Sequence, residues 1–167
     1  IRDRYRVVEV EAPYGYVLNP NEQKVTFTYV DDKTPVIKEN LTFSNDRQKL
    51  AMSVTKLDVE DNTPIAGAVF GLYAGEDIKN ADGKVIIEKG TLLEKAVSDE
   101  NGMIAFVKDY PFAQYVAKEI EKPAGYVTNN EVVKFDTEYQ GQKVKTAVYN
   151  SEYKNLSLIH ISEPTRL

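Results

Sequence analysis

The sequence predicts an all-β protein, an antiparallel β-sandwich, and three observations predict it. Short runs of alternating apolar and polar residues recur along the 167-residue chain. Turn-forming Asn, Asp and Gly pairs punctuate them. A segment also repeats itself: Tyr5-Arg-Val-Val-Glu9-Val-Glu-Ala-Pro13-Tyr-Gly15-Tyr16-Val-Leu-Asn19 aligns with Tyr115-Val-Ala-Lys-Glu119-Ile-Glu-Lys-Pro123-Ala-Gly125-Tyr126-Val-Thr-Asn129 at a constant offset of 110 residues.

Each copy continues in the same way. Two β-rich runs follow the first, Lys24–Val30 and Val36–Phe43, and two follow the second, Glu131–Phe135 and Lys143–Tyr149. Each copy then closes on an asparagine, read as Asn45 and Asn150. The polar stretch Asp46–Lys49 marks the joint between copies. Residues 1–48 therefore read as the back half of one module, and 49–155 as a complete second one. Within the second, Ala51–Leu57 alternates and Gly67–Ala74 is β-rich. Asn80-Ala-Asp82-Gly83 is a turn, and Asp99-Glu-Asn101-Gly102 reads as an Asn-Gly hairpin turn. Gly75–Lys95 mixes polar residues with short strand signals, and periodicity does not separate strand from a helical turn there. Seven or so short strands with turns between them indicate a sandwich.

Composition removes several functional classes. A formal charge of −5 and the lack of any basic patch interleaved with aromatics argue against nucleic acid. The chain has no cysteine, so disulfides and cysteine metal sites are excluded, and no cofactor or metal motif is found. No apolar run is long enough to span a membrane, so no membrane insertion is expected of this fragment. The chain opens Ile-Arg-Asp-Arg-Tyr without an initiator methionine, and reads as cut within a strand. At the other end Leu156–Arg166, LSLIHISEPTR, reproduces one reading frame of a transposon sequencing adapter over eleven residues. Residues 156–167 are accordingly expected to be a non-native tail. The single histidine, His160, lies in it.

Three polar residues fall on faces that alternation assigns to the core. Met52, Val54 and Lys56 share one face of the first strand. Glu119 shares a face with Tyr115 and Ala117, as Glu9 does with Tyr5 and Val7. Alternation puts Asn150 on one face with Val144, Thr146 and Val148, and Asn45 with Leu41 and Phe43. Burial lowers a lysine's pKa and yields a neutral, nucleophilic amine. The same surroundings favour a protonated glutamate that can hydrogen-bond a carboxamide oxygen and relay protons. Together the three could join Lys56 to Asn150 as an amide with loss of ammonia, once per molecule and without a cofactor. In the first copy Glu9 and Asn45 would be the equivalents, their lysine lying outside the sequence.

These residues resemble the collagen-adhesin B-type domains, also called SpaA-like pilin modules, of Gram-positive surface proteins. The resemblance rests on Ser53-Val-Thr-Lys56-Leu-Asp58, Pro64-Ile-Ala-Gly67-Ala-Val-Phe70-Gly-Leu-Tyr73, Ser98-Asp-Glu-Asn-Gly102 and the Glu119-x-x-x-Pro123-x-Gly125-Tyr126 stretch. It implies a prealbumin-like, immunoglobulin-like Greek-key sandwich in tandem modules, acting as an exported, cell-wall-attached stalk of an adhesin or pilin. It also implies a Lys56–Asn150 isopeptide bond assisted by Glu119. The implied partners are neighbouring modules of the same chain, with host matrix or glycan reached through a tip domain outside the fragment.

Two other functions remain open at this level. A ligand-binding sandwich would grip a host protein or glycan through its loops, with Tyr110, Tyr139 and Tyr153 as candidate contacts. An enzyme would need acid–base groups, yet outside the tail there is neither histidine nor cysteine and no carboxylate pair stands out, so no turnover chemistry is expected. A calcium loop at Asp77, Asn80 and Asp82-Gly83 lacks a closing glutamate, so a solvated turn is expected.

Overall fold

A computed structural model describes residues 2–34 and 36–160, with the side chains of Arg2 and His160 outside the description. The chain forms two compact units, Ile1–Gln48 with Tyr139–Lys145, and Lys49–Glu138 with Thr146–Leu167. Tyr139–Lys145 thus groups with the first unit.

The second unit is the sandwich. One sheet has four strands in the order β10 (Val132–Asp136), β9 (Gln114–Glu121), β4 (Val69–Ala74) and β7 (Leu92–Val97). The other has β11 (Thr146–Asn155), β3 (Lys49–Asp58) and β8 (Met103–Phe106). Among the described residues the pairings are antiparallel except one: β11 runs parallel to β3 over ten residues, from Thr146 opposite Lys49 to Asn155 opposite Asp58. The unit's first and last strands are therefore direct neighbours. Gly75–Lys95 resolves into strand, not helix, with β5 (Ile78–Lys79) paired to β6 (Val85–Ile87).

Alternation explains which side chains meet between the sheets. β3 buries Leu50, Met52, Val54, Lys56 and Asp58, the even-numbered face the sequence indicated. β9 contributes Tyr115 and Ala117, both fully buried, and β4 contributes Phe70 and Leu72. In β11 the buried face is odd-numbered: Ala147, Tyr153 and Asn155. The even-numbered face expected from Val144, Thr146 and Val148 points outward instead, and Val148 is 56% exposed. A register error of one residue exchanges every inward and outward side chain of a strand. Small Ala147 and amphipathic Tyr153 gave a weaker apolar signal than Val144 and Val148, and that caused the error.

The Asp99–Gly102 turn also differs from a simple hairpin. It crosses from β7 in one sheet to β8 in the other. The Asp99 carboxylate accepts the amides of Asn101 and Met103, and Gly102 donates to the Asp99 carbonyl. Gly102 sits at φ +74° with its α-carbon packed on the Lys56 carbonyl, where a β-carbon would overlap it. Gly102 also accepts the Lys56 amide at 2.7 Å, so this turn fixes the Lys56 backbone.

The first unit holds β1 (Arg2–Val7) paired antiparallel with β2 (Gln23–Thr28). Val36–Phe43, expected as a strand, carries no ladder in the description. The residues that follow it nonetheless repeat the hydrogen bonds of the second unit at an offset of 110. Val17 donates to Asp46 as Val127 does to Leu156, and Gln48 to Gly15 as Leu158 does to Gly125. Asn19 and Asn129 donate side-chain bonds to the carbonyls of Ser44 and Lys154. Backbone pairing in the second unit therefore runs through Leu158, three residues into the stretch that resembles an adapter. Such bonds do not depend on side-chain identity.

Replacing Gly102 by alanine combines a left-handed backbone penalty with a backbone clash, and is expected to cost about 3 kcal/mol. Thermal unfolding checks this, with Gly83→Ala, an open-space glycine of similar φ, as the comparison.

Candidate functional site: a buried lysine, glutamate and asparagine

The structure brings Lys56 and Glu119 together inside the sandwich, with side chains 0% and 2% exposed and Nζ 3.8 Å from Oε1. That is an ion-pair distance, too long for a hydrogen bond. The third member is Asn155. It is 1% exposed, and its Nδ2 donates to both Glu119 oxygens at 3.0 Å.

Asn150, the expected partner, is elsewhere. It is exposed, lies opposite Ser53 in the ladder, and accepts a 2.6 Å hydrogen bond from the Ser53 hydroxyl. Ser53 and Lys56 lie on opposite faces of β3, so no rotamer of Asn150 reaches the cluster through the sheet. The signal for Asn155 was present in the repeat: Asn45 plus the offset of 110 is 155, whereas 150 breaks the offset by five.

The first unit supports this assignment. Glu9 accepts the Asn45 Nδ2 at 2.6 Å, and also the Asn19 backbone amide at 2.6 Å. Glu9 and Asn45 thus form the same carboxylate–carboxamide pair as Glu119 and Asn155, but only half-buried.

Within the cluster two buried atoms have no hydrogen-bond partner, Lys56 Nζ and Asn155 Oδ1. A stranded buried polar atom costs roughly 1–3 kcal/mol, so two side by side call for an explanation. Burial pushes the Lys56 ammonium down to about 8, against the opposing pull of the Glu119 and Asp58 carboxylates. Roughly a tenth of the amine is therefore neutral at pH 7, far more than for an exposed lysine. The amine also faces the Tyr153 ring, 5.0 Å from its centroid.

Other candidates resolve differently. Tyr110 and Tyr153, read from sequence as exposed contacts, are 6% and 3% exposed. Tyr110 donates to Glu94 at 2.6 Å, and burial together with that carboxylate pushes its phenol well up. Tyr139 belongs to the first unit, where its hydroxyl donates to Tyr16 and its ring meets Tyr14. At the candidate calcium loop, Asp77 accepts the Lys89 amide, and Asn80 accepts those of Asp82 and Lys84. These oxygens close turns.

Comparison with known proteins agrees with the fold. The SpaA prealbumin-like fold domain family matches residues 51–152, and the chain belongs to that family. The Bacillus anthracis TIE protein is 25% identical, with a TM-score of 0.61, over 93% of this chain and 25% of that one. The major pilin subunit of Bacillus cereus is 24% identical, with a TM-score of 0.45, over 65% of this chain and 29% of that one. The pilus 2b backbone protein of group B streptococcus is 16% identical, with a TM-score of 0.48, over 90% and 52%. The chain thus spans about a quarter of the length of the TIE protein it resembles. No curated protein matches it.

The depressed Lys56 pKa has a consequence for any variant that keeps the amine free. Asn155→Ala is such a variant. Between about 8 and the ordinary lysine value of 10.5, the unfolded chain binds the proton that the folded chain has released. Stability of Asn155→Ala is therefore expected to rise with pH from about 8 toward 10. Urea denaturation across that window checks it, and Lys56→Met in the same background should flatten the rise.

Proposed function

We propose that the chain is a stalk or spacer segment of a Gram-positive surface protein, built from tandem sandwich modules, whose complete module locks itself with a Lys56–Asn155 isopeptide bond. The observation that carries this reading is the buried Lys56–Glu119–Asn155 cluster with its two stranded atoms. Membership of the SpaA family supports a structural role.

The chemistry follows from the contacts. Glu119 takes a proton from the Lys56 ammonium across the 3.8 Å gap, leaving a neutral amine and a neutral carboxylic acid. A half-turn of the Asn155 carboxamide exchanges Nδ2 for Oδ1, which the protonated Glu119 then hydrogen-bonds. This polarises the Asn155 carbon, and Nζ attacks it. The Cγ–Nδ2 bond breaks, the departing nitrogen takes one proton from the amine and one from Glu119, and ammonium leaves. Glu119 returns to carboxylate. The reaction is a single maturation event, so no turnover activity is proposed.

The crosslink ties β3 to β11, neighbours in one sheet and the first and last strands of the unit. Closing a loop of ~100 residues contributes about 4–5 kcal/mol through the denatured state, by analogy with a disulfide. Tension between these strands would pass through a covalent amide instead of opening the ladder. The same reading places the module outside the cell on a wall-attached protein, with neighbouring modules as its immediate partners. The ligand-binding alternative loses support, because two of its three tyrosines are buried in the core.

The parent chain is expected to weigh about 17 Da less than its sequence, the mass of one ammonia lost to the Lys56 nucleophile. Lys56→Ala, Glu119→Ala and Asn155→Ala should restore the full mass, whereas Asn150→Ala should keep the deficit. A well-folded parent of full mass would sink the reading. Loss of the crosslink should also lower Tm by roughly 15–25 °C, read by calorimetry.

A further inference from the structure

We propose that Tyr153 is a positioning residue for the crosslink: its ring face holds the Lys56 amine in place beside Glu119. The inference rests on the crosslinking reading above and adds a part to it.

Tyr153 is directly opposite Lys56 in the β3–β11 ladder, two residues before Asn155 on the same inward face. A lysine head on a four-carbon stem has many rotamers, and this one has no hydrogen bond to choose among them. Two groups bracket it, the Glu119 carboxylate at 3.8 Å and the Tyr153 ring at 5.0 Å. An aromatic face attracts an ammonium, most strongly where water is excluded, as it is here.

The ring itself is held rigidly. Its hydroxyl donates to the Asn129 carbonyl at 2.6 Å and reaches the Glu131 carbonyl at 3.2 Å. Phe70 meets it edge-to-face, with centroids 4.9 Å apart and planes at 90°. The hydroxyl is thus spent on fixing the ring, and the π face is left to the amine. The ammonium sits between ring and carboxylate until Glu119 takes its proton, and the neutral amine starts its attack from that place. At the corresponding place in the first copy, residue 43, a phenylalanine supplies the same ring without the hydroxyl. The reaction balance is unchanged, because Tyr153 neither gives nor takes a proton.

The test measures the rate of crosslink formation in the full chain. The protein is made by cell-free translation, quenched in acidic denaturant at intervals, and weighed intact. Position 153 carries tyrosine, phenylalanine or pentafluorophenylalanine, the last two alike in shape but opposite in the charge of the ring face. Phenylalanine should form the bond within about threefold of the tyrosine rate, and pentafluorophenylalanine about tenfold or more slower than phenylalanine. The groups facing the amine are Glu119 on β9, Asp58 on its own strand and Tyr153 on β11. Without the attractive ring the ammonium loses its proton more readily, so the midpoint of the rate–pH curve should also move to lower pH. Equal rates for the two rings, or a slower rate with an unmoved midpoint, would overturn the role. Absence of the mass loss in the tyrosine parent would instead count against the crosslink itself.

Discussion

The parallel ladder between β3 and β11 is the constraint on which the rest of this structure depends. It places the first and last strands of the sandwich side by side and sets the register that puts Tyr153 opposite Lys56. Asn155 then lies one inward position further along, where β9 brings Glu119 from the facing sheet. Without Glu119, Lys56 would be a poorly compensated amine in an apolar core, among the more costly arrangements a small domain can contain. The Gly102 turn contributes from the other side by holding the Lys56 backbone.

Most of the fold was legible because strands write their burial pattern in period two. Met52, Val54 and Lys56 stood on one face in the sequence and stand on one buried face in the sandwich. Glu119 was legible for the same reason, in line with Tyr115 and Ala117. Three features were less visible. Parallel pairing of β3 with β11 depends on chain topology, which alternation does not encode. The crossing of the Asp99–Gly102 turn between sheets was hidden because the same Asn-Gly signal serves hairpins and crossovers. The Gly75–Lys95 stretch contains strands of two and three residues, too short to display a period.

The misplacement of the asparagine has a single physical origin. Val144, Thr146 and Val148 looked like the inward set because β-branched residues dominate the apolar signal, yet β11 turns Ala147, Tyr149 and Tyr153 toward the core. A tyrosine counts as half polar on most hydropathy scales, but here the Tyr153 hydroxyl finds two carbonyls and its ring packs on Phe70. The repeat carried better information than the hydropathy. Asn45 and Asn155 keep both the offset of 110 and the hydrogen bond to a glutamate.

The most direct measurement of the central claim is a tryptic digest of the parent chain read by tandem mass spectrometry. A bond from Lys56 to Asn155 would block cleavage at Lys56 and join Leu50–Lys79 to the peptide that begins at Asn155 and ends at Arg166, the combined mass short by one ammonia. A joined peptide containing Thr146–Lys154 instead would return the crosslink to Asn150. Cleavage after Lys56, with both peptides at full mass, would contradict the account altogether.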